Sequence, residues 1–440
     1  MIIVKSIRNK YKNNSKAQLL YHVVRWFFLK SYRKNYSLID AGDKWHRTVS
    51  YYLADKVYFI FKPIVSLFEN KKILFSINNI SHATGHVYPE IDYLYRLKWL
   101  SKIDNNYKIY CVWPKSHVSA GFAKSQKDNE IKFILSGLLH VLIYPLLIRY
   151  PKIAISTSQS NLNHSLHYDN NNRAVFGASI SYVDTFRVRQ KEYAIVRSLS
   201  QEYYPLCIKQ ELTKPLIDLI GNEKYFVIQI KDQSVNATYK PVNPETYILA
   251  ISEMKKMGHA VVFAGREVMP SYFALLGVIN YSQSPFASAY HDYLLVLNSA
   301  GVVASASGFC FIADTLGVPL LSLNNWHING YPGGKTIQIP SLLNLNGIPL
   351  KFIEQLEYAY QRGQISPNGK KIDQNIVCYD ATSQDIHSAF LELVDCASKN
   401  QYPPMTPLQL KFNKLFPLDI MSSQLSRVSN QFLINNMDRF

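Results

Sequence analysis

Apolar segments of strand length alternate with segments of helix length along the chain, and this alternation predicts an α/β fold. The pattern begins near residue 72 and begins again near residue 225, after a boundary near residues 215–224. The chain has 440 residues, enough for two domains of about 200 each, and its 48% hydrophobic content is ample for two cores. The sequence therefore predicts two Rossmann-like domains with parallel sheets that face a central cleft.

The first half contains three predicted strands, at residues 72–77, 109–112 and 153–156. A helix is expected to begin at Gly85 and to run to about Leu100. The Asn-rich stretch 158–172 has no clear period and predicts a surface loop. Residues 133–148 are apolar, but this stretch is shorter than the roughly 20 residues that span a membrane. We therefore predict a buried helix there, broken at Pro145, and no transmembrane helix.

The second half repeats the alternation. Its predicted strands are residues 225–230, 259–264, 278–281, 301–305 and 320–323, and its predicted helices are residues 244–257, 290–300, 309–316, 351–361 and 383–397. A last helix near residues 421–436 is expected to pack back over the domains. The predicted units are therefore a helical arm (1–70), two Rossmann-like domains (71–215 and 216–400) and a C-terminal tail (401–440).

The N-terminal arm is strongly basic. The net charge of the chain is +17, and nine Lys and Arg residues precede the first acid, Asp40. Residues 15–34 have the pattern of an amphipathic helix, with Trp26 and Phe27 near its apolar face. Such a helix fits the cytoplasmic surface of an anionic membrane, so we predict that residues 1–35 bind there. The alternative is a helix that packs on the protein itself and exposes its basic face.

Cysteine usage favours a reducing compartment. The five cysteines are spread along the chain, without a CxxC pair and without metal-ligand spacing. The first residues lack the long apolar segment and the cleavage site of a signal peptide. These features predict a cytoplasmic protein.

The turn between the strand 301–305 and the helix 309–316 has the composition of an anion site. Ser307 is placed to cap the helix, and Ser305 and Gly308 flank the exposed amides of its first turn. In an open α/β sheet, ligands bind at the carboxyl ends of the strands. The alternative is an ordinary strand–helix unit with a capped helix, because Ser-x-Ser-Gly is a short and common pattern.

Several short motifs occur in a definite order along the chain. Gln-Ile-Lys-Asp at 229–232 ends one predicted strand, and residues 258–266 cover the next strand and the Gly265-Arg266 pair after it. The others are Asp292, the Ser305–Gly308 turn, Gly-Val-Pro at 317–319, Asn325-Trp326, a Gly-His-x-x-x-Glu loop at 85–90, and the tail 426–436. Their order resembles that of a known family, the GT-B-fold glycosyltransferases of bacterial surface-polysaccharide clusters (lipopolysaccharide, O-antigen or capsule). That family has His-x-Arg-Asp where this chain has Gln229 and Lys231 in place of the His and the Arg, Gly-Tyr-x-Val-x-Arg-x-Gly at 258–266, and an Asp that precedes a helix at Asp292.

The resemblance implies transfer of a sugar from a nucleotide sugar to a glycan or a lipid-linked acceptor. The sequence has no Asp-x-Asp, the motif that a metal-dependent GT-A enzyme would use, so we predict that the transfer needs no metal and no cofactor besides the donor. The basic arm would keep the protein at the inner face of the bacterial inner membrane, near a lipid-linked acceptor. Residues 71–215 would bind the acceptor and residues 216–400 the donor. The predicted donor-binding residues are Lys231, Asp232, Gly265, Arg266, Asp292, Ser305, Ser307, Gly308, Asn325 and Trp326. The base that takes the acceptor's proton is expected among His86, Glu90 and Asp92, with Asp232 of the second half as the alternative.

Two other functions fit parts of the sequence. The charge of +17 and the 31 tyrosines are compatible with a non-catalytic nucleic-acid-binding protein. Against it, the basic residues beyond the arm are dispersed, and the sequence has no RRM, KH or helix-turn-helix signature. The second alternative is a nucleotide-sugar epimerase on the same GT-B fold. We predict no nucleic-acid partner and no metal.

Overall fold

The structure is a computed structural model. It describes residues 63, 66–68, 70–77, 84–103, 105–113, 115–126, 131–135, 154–155, 166–168, 174–176, 196–231, 242–324, 333–356, 375–399, 402–415 and 426–440. The basic arm, residues 1–35, lies outside these ranges. All five cysteines are free thiols. None of the described helices is both long and apolar enough to cross a membrane.

The first half contains a parallel sheet that is accompanied by helices. Its strands are β1 (Ile73–Ile77), β2 (Lys108–Trp113), β3 (Lys132–Leu135) and β4 (Ala154–Ile155), and its helices are α1 (Thr84–Trp99) and α2 (His117–Ser125). The strand order is β3-β2-β1-β4, and every pair is parallel. A separate antiparallel pair consists of β5 (Leu166–Tyr168) and β6 (Ala174–Phe176).

Two predictions for this half were wrong where the structure describes the residues. Residues 133–135 belong to β3 and not to a helix. The helix prediction failed because a short apolar run in a sequence does not distinguish a buried strand from a buried helix. Residues 166–168, predicted as loop, form β5 and pair with β6. The remainder of the segment 133–148 lies outside the described residues.

The second half contains the larger sheet. Its strands are β7 (Tyr225–Gln229), β8 (Ala260–Phe263), β9 (Ile279–Asn280), β10 (Gly301–Ser305), β11 (Leu320–Leu323), β12 (Thr336–Ile339), β13 (Leu342–Leu345), β14 (Ile348–Pro349), β15 (Ile376–Tyr379) and β16 (Arg427–Val428). Seven of them form a parallel sheet in the order β16-β12-β11-β10-β7-β8-β9. The other three form a small antiparallel sheet in the order β14-β13-β15.

The helices of this half cover both faces of the larger sheet. They are α3 (Lys214–Ile220), α4 (Ile248–Lys256), α5 (Ser271–Leu275), α6 (Ala289–Leu297), α7 (Gly308–Leu316), α8 (Ser383–Ala397), α9 (Pro407–Asn413) and α10 (Asn430–Asn435), with 3₁₀ turns at Pro244–Tyr247 and Met437–Arg439. Every residue of β7, β8, β10 and β11 is buried, as expected for parallel strands with helices on both faces. The predicted α/β class is confirmed.

The C-terminal tail differs from its prediction. A helix was expected near residues 421–436, but Arg427 and Val428 form the edge strand β16, parallel to β12. The helix α10 begins only at Asn430. The main-chain pairing of two residues leaves no periodic pattern in the sequence, so it could not be recognised there.

The two halves meet through their helices. The helix α1 packs against α7, and α2 packs against α6. A single hydrophobic cluster contains Tyr88 and Phe122 from the first half and Leu294 and Ile312 from the second. The contact is close at Gly121 of α2, where a Cβ atom would lie 2.6 Å from the Cβ of Ala289. The helices between the two sheets therefore share one core.

Candidate functional site

The strand order places a crevice at the carboxyl end of the larger sheet. If the strands β7 to β12 of this sheet are numbered 1 to 6 along the chain, their order in space from the β9 edge is 3-2-1-4-5-6. The direction of winding therefore reverses between β7 and β10. Doubly wound sheets bind ligands at this reversal, outside the carboxyl ends of the strands. At this point the backbone amide of Lys231, which follows β7, donates a hydrogen bond of 2.9 Å to Ser305 Oγ at the end of β10.

The Ser305–Gly308 turn leads directly into α7. Ser307 is the N-cap residue, with extended backbone at φ −151°, but its side chain makes no capping hydrogen bond to the first-turn amides. The helix has nine residues and ends at Gly317, which adopts the left-handed conformation at φ 69°. The sequence predicted the strand, the turn and the helix within one residue. The amides of the first turn of α7 therefore lie beside the crevice.

Four groups meet at the carboxyl ends of β7 and β8. Lys231 Nζ lies 2.8 Å from Glu267 Oε1, and Gln229 Nε2 donates a hydrogen bond of 3.2 Å to Glu267 Oε2. The backbone amide of Arg266 donates to the same Oε2 at 3.0 Å. Glu267 is 5% exposed, so three donors surround a nearly buried carboxylate. This acid fixes the position of the Lys231 ammonium group.

Gly265 has a conformation that this cluster requires. Its φ is +114°, which side chains rarely adopt, and a Cβ atom there would lie 2.7 Å from Glu267 Oε2. Sequence reasoning selected Gly265 and Arg266 but missed Glu267. The available signal was an acid placed immediately after a strand end, next to a predicted cation.

Arg266 follows β8, and Asp292 lies in α6, where the positive charge of Arg266 acts on its carboxyl group. The Arg266 side chain is exposed. Asp292 lies in the first turn of α6 and not before the helix, and its Oδ1 accepts a hydrogen bond of 2.9 Å from the hydroxyl of Tyr281. Burial raises the pKa of Asp292 to about 7, while the Tyr281 hydrogen bond and the positive charge of Arg266 oppose this rise.

Asp92 belongs to a buried ion network and not to an open cleft. Its Oδ2 lies 2.8 Å from Arg96 Nε and 3.1 Å from an Arg197 nitrogen, and the Asp92 side chain is fully buried. Arg197 also reaches Asp314 of α7 at 3.3 Å. Asp314 Oδ1 accepts a hydrogen bond of 2.7 Å from the amide of Gly333. This network joins α1 to α7, and in it the Asp92 carboxylate faces two guanidinium groups.

The other predicted base residues lie at the start of α1. His86 is in the first turn and Glu90 in the second, and their side chains are outside the described residues. Asp232, Asn325 and Trp326 are outside them as well. The roles proposed for these five residues remain predictions.

Asn324 marks the end of β11 on the same edge of the sheet. It has a φ of 51° and is 3% exposed. Its Oδ1 accepts a hydrogen bond of 2.7 Å from the amide of Ala381, whereas its Nδ2 has no hydrogen-bond partner in the part of the chain that the structure describes. A buried amide nitrogen without a hydrogen-bond partner is costly, and such groups are few in native structures.

Among the residues that the structure describes, no three His, Cys, Asp or Glu side chains lie close enough together to hold a metal ion. The predicted independence from metal and cofactor remains a prediction.

The structure is similar to three solved glycosyltransferases. The iron-containing dodecameric glycosyltransferase TibC from enterotoxigenic E. coli H10407 is 12% identical, with 60% of this chain and 62% of that chain covered and a TM-score of 0.38. The family 9 glycosyl transferase from Veillonella parvula is 11% identical over 73% and 97%, with a TM-score of 0.40. The ADP-heptose LPS heptosyltransferase II of E. coli is 13% identical over 67% and 97%, with a TM-score of 0.33.

The chain spans about three fifths of the TibC chain (62%). No protein-family model and no curated protein matches the sequence.

Proposed function

We propose that the protein is a glycosyltransferase that moves a sugar from a nucleotide-activated donor to an acceptor hydroxyl. The observation that carries the proposal is the crevice between β7 and β10, where Lys231 donates to Ser305 and where α7 begins. The position of the crevice is the ligand position of doubly wound sheets. The resemblance in motif order to the surface-polysaccharide glycosyltransferases gives the same substrate class.

The chemistry of the crevice suits a departing nucleoside diphosphate. Breaking the bond between the sugar and the diphosphate leaves additional negative charge on a phosphate oxygen. The amides at the start of α7 and the exposed guanidinium of Arg266 are the groups that we assign to this charge. Lys231 contributes a third positive group, which Glu267 holds in place at 2.8 Å.

The acceptor and the location of the protein are further parts of the proposal. We propose a glycan or a lipid-linked glycan as the acceptor, because the basic arm is suited to an anionic membrane surface. The protein would then act at the cytoplasmic face of the bacterial inner membrane. The arm itself lies outside the described residues.

The proposal is tested by incubating the purified chain with UDP-, GDP-, ADP-, dTDP- and CMP-linked sugars, with water as the acceptor. Chromatography of the products would show release of a free nucleotide and a free sugar from one of these donors. Recovery of a different sugar still linked to the nucleotide would show an epimerase instead. The absence of any reaction, together with salt-sensitive binding of a short oligonucleotide, would contradict the proposal and favour nucleic-acid binding.

A further inference from the structure

We propose that Asp292 takes the proton from the acceptor hydroxyl during sugar transfer, an inference that rests on the proposed function. The sequence suggested His86 or Glu90 of α1 for this task and assigned Asp292 to the donor. The geometry around α6 points to Asp292 as the base.

The position of α6 brings Asp292 to the edge of the sheet that holds the crevice. The hydroxyl of Tyr225, at the start of β7, donates a hydrogen bond of 2.8 Å to the carbonyl of Leu295 in α6. A helix that connects two parallel strands runs back along the sheet, so its first turn lies towards the carboxyl ends. Asp292 is in that first turn, and α6 packs beside α7. The carboxylate and the start of α7 are therefore on the same side of the sheet.

A buried tyrosine holds the carboxylate in one orientation. The Tyr281 hydroxyl donates to Asp292 Oδ1 at 2.9 Å and accepts from the backbone amide of Ser288 at 3.2 Å. Tyr281 is fully buried, so its hydroxyl is fixed by packing. Among the described residues, the Tyr281 hydroxyl is the hydrogen-bond donor to the Asp292 carboxylate, and Asp292 as a whole residue is half-buried. We assign the second carboxylate oxygen, Oδ2, as the atom that receives the proton of the acceptor hydroxyl.

The charged and titratable groups around Asp292 come from both halves. Arg266 approaches from the end of β8, Tyr281 from the end of β9 and Tyr88 from α1 of the first half. His117, at the start of α2, accepts a hydrogen bond of 3.3 Å from the amide of Ala289 in the same turn as Asp292. Asp292 thus lies where the two halves meet, next to the half in which the acceptor is predicted to bind.

The acid strength of Asp292 suits a general base. Its burial raises the pKa of the carboxyl group to about 7, and a base works best when its pKa is close to the operating pH. In the transfer step, the acceptor oxygen forms a bond to the anomeric carbon while its proton moves to Asp292 Oδ2. The bond between the anomeric carbon and the diphosphate breaks, and its electron pair leaves on the phosphate oxygen.

The test compares three variants with the wild-type protein on the donor that the nucleotide-sugar screen identifies. Asp292→Asn removes the base, Tyr281→Phe removes the group that orients it, and Asp218→Asn makes the same chemical change at an exposed position of α3. Two quantities are measured: the Kd for the free nucleotide and the rate of nucleotide release between pH 5 and pH 9.

For Asp292→Asn we expect the rate to fall about 100-fold or more, the usual scale for loss of a general base, with the Kd within about threefold. For Tyr281→Phe we expect the rate to begin its increase at a higher pH than in the wild type. The reason is that loss of the hydrogen bond raises the pKa of Asp292. Asp218→Asn should leave the rate and the Kd unchanged.

Three results separate the possible failures. An Asp292→Asn rate within about twofold of wild type overturns the assignment and leaves the proposed function in place. A large loss of nucleotide affinity in Asp292→Asn also overturns it, because the residue would then hold the donor. If the wild-type chain binds none of the nucleotides, the proposed function fails and this assignment fails with it.

Discussion

The backbone amide of Lys231 and the hydroxyl of Ser305 are joined by a hydrogen bond of 2.9 Å, which links the ends of β7 and β10. These two strands are neighbours in the sheet although 71 residues lie between the end of β7 and the start of β10. The Ser305 side chain is 1% exposed, so the bond is sheltered from water. The bond fixes Lys231 beside the turn that leads into α7.

Replacing Ser305 by Ala is expected to lower the free energy of unfolding by about 1 kcal/mol, because the amide of Lys231 loses its partner. Chemical denaturation measures this change. The control is Ser398→Ala, which removes a solvent-exposed hydroxyl at the end of α8. Equal stability losses in the two variants would show that the bond to Lys231 makes no special contribution.

Lys231 and Glu267 are expected to behave as a coupled pair. Lys231→Met leaves the nearly buried carboxylate of Glu267 without its cation and should cost about 1–3 kcal/mol of stability. Glu267→Gln removes the charge that needs compensation, so the double variant should lose less stability than the sum of the two single variants. Denaturation of all four proteins completes the cycle. Additive losses would contradict the coupling.

Of the substitutions considered for stability, replacement of Arg197 is expected to lower the free energy of unfolding most. It lies 3.1 Å from Asp92 and 3.3 Å from Asp314 and is 2% exposed. Arg197→Met would leave two buried carboxylates without this cation, at a cost of about 3–5 kcal/mol. The matched control is Lys256→Met, which breaks an exposed ion pair with Glu253 and should cost less than about 1 kcal/mol. Similar losses at the two positions would contradict a structural role for the network.

The raised pKa of Asp292 predicts that the free energy of unfolding depends on pH. The pKa of its carboxyl is about 7 in the folded chain and 3.8 ordinarily, so the folded state binds the proton more tightly than the unfolded state. The wild-type protein should therefore lose stability as the pH rises from 4 to 7, by up to roughly 4 kcal/mol relative to Asp292→Asn. Thermal denaturation of both proteins at several pH values measures the difference. Parallel pH profiles would show that the carboxyl is not perturbed.

The sequence predicted those elements whose signal is local. The run 301–305 is continuously apolar, the turn after it consists of small residues, and Gly317 closes the helix, so β10 and α7 were recognised almost to the residue. The same local logic selected Lys231 and Arg266, since each follows an apolar strand.

The relationships between distant residues could not be predicted. Glu267 contacts Lys231 from 36 positions away, and Asp92 meets Arg197 across 105 positions. In the sequence, Asp92 has the position of an acid in the first turn of a helix near a binding site. Its burial between two arginines depends instead on the packing of α1 against α7. The edge strand β16 has only two residues, too few to produce a periodic pattern.

The measurement that tests the central claim most directly is calorimetric binding of UDP, GDP, ADP, dTDP and CMP to the wild-type chain and to Arg266→Ala. We expect one nucleotide to bind and the variant to bind it about tenfold or more weakly, as for loss of a charge-assisted hydrogen bond of roughly 1.5–3 kcal/mol. Exposed Lys256→Ala serves as the control for the loss of one positive charge and should bind like the wild type. If no nucleotide binds, or if Arg266→Ala binds as well as the wild type, the crevice between β7 and β10 is not the diphosphate site proposed for it.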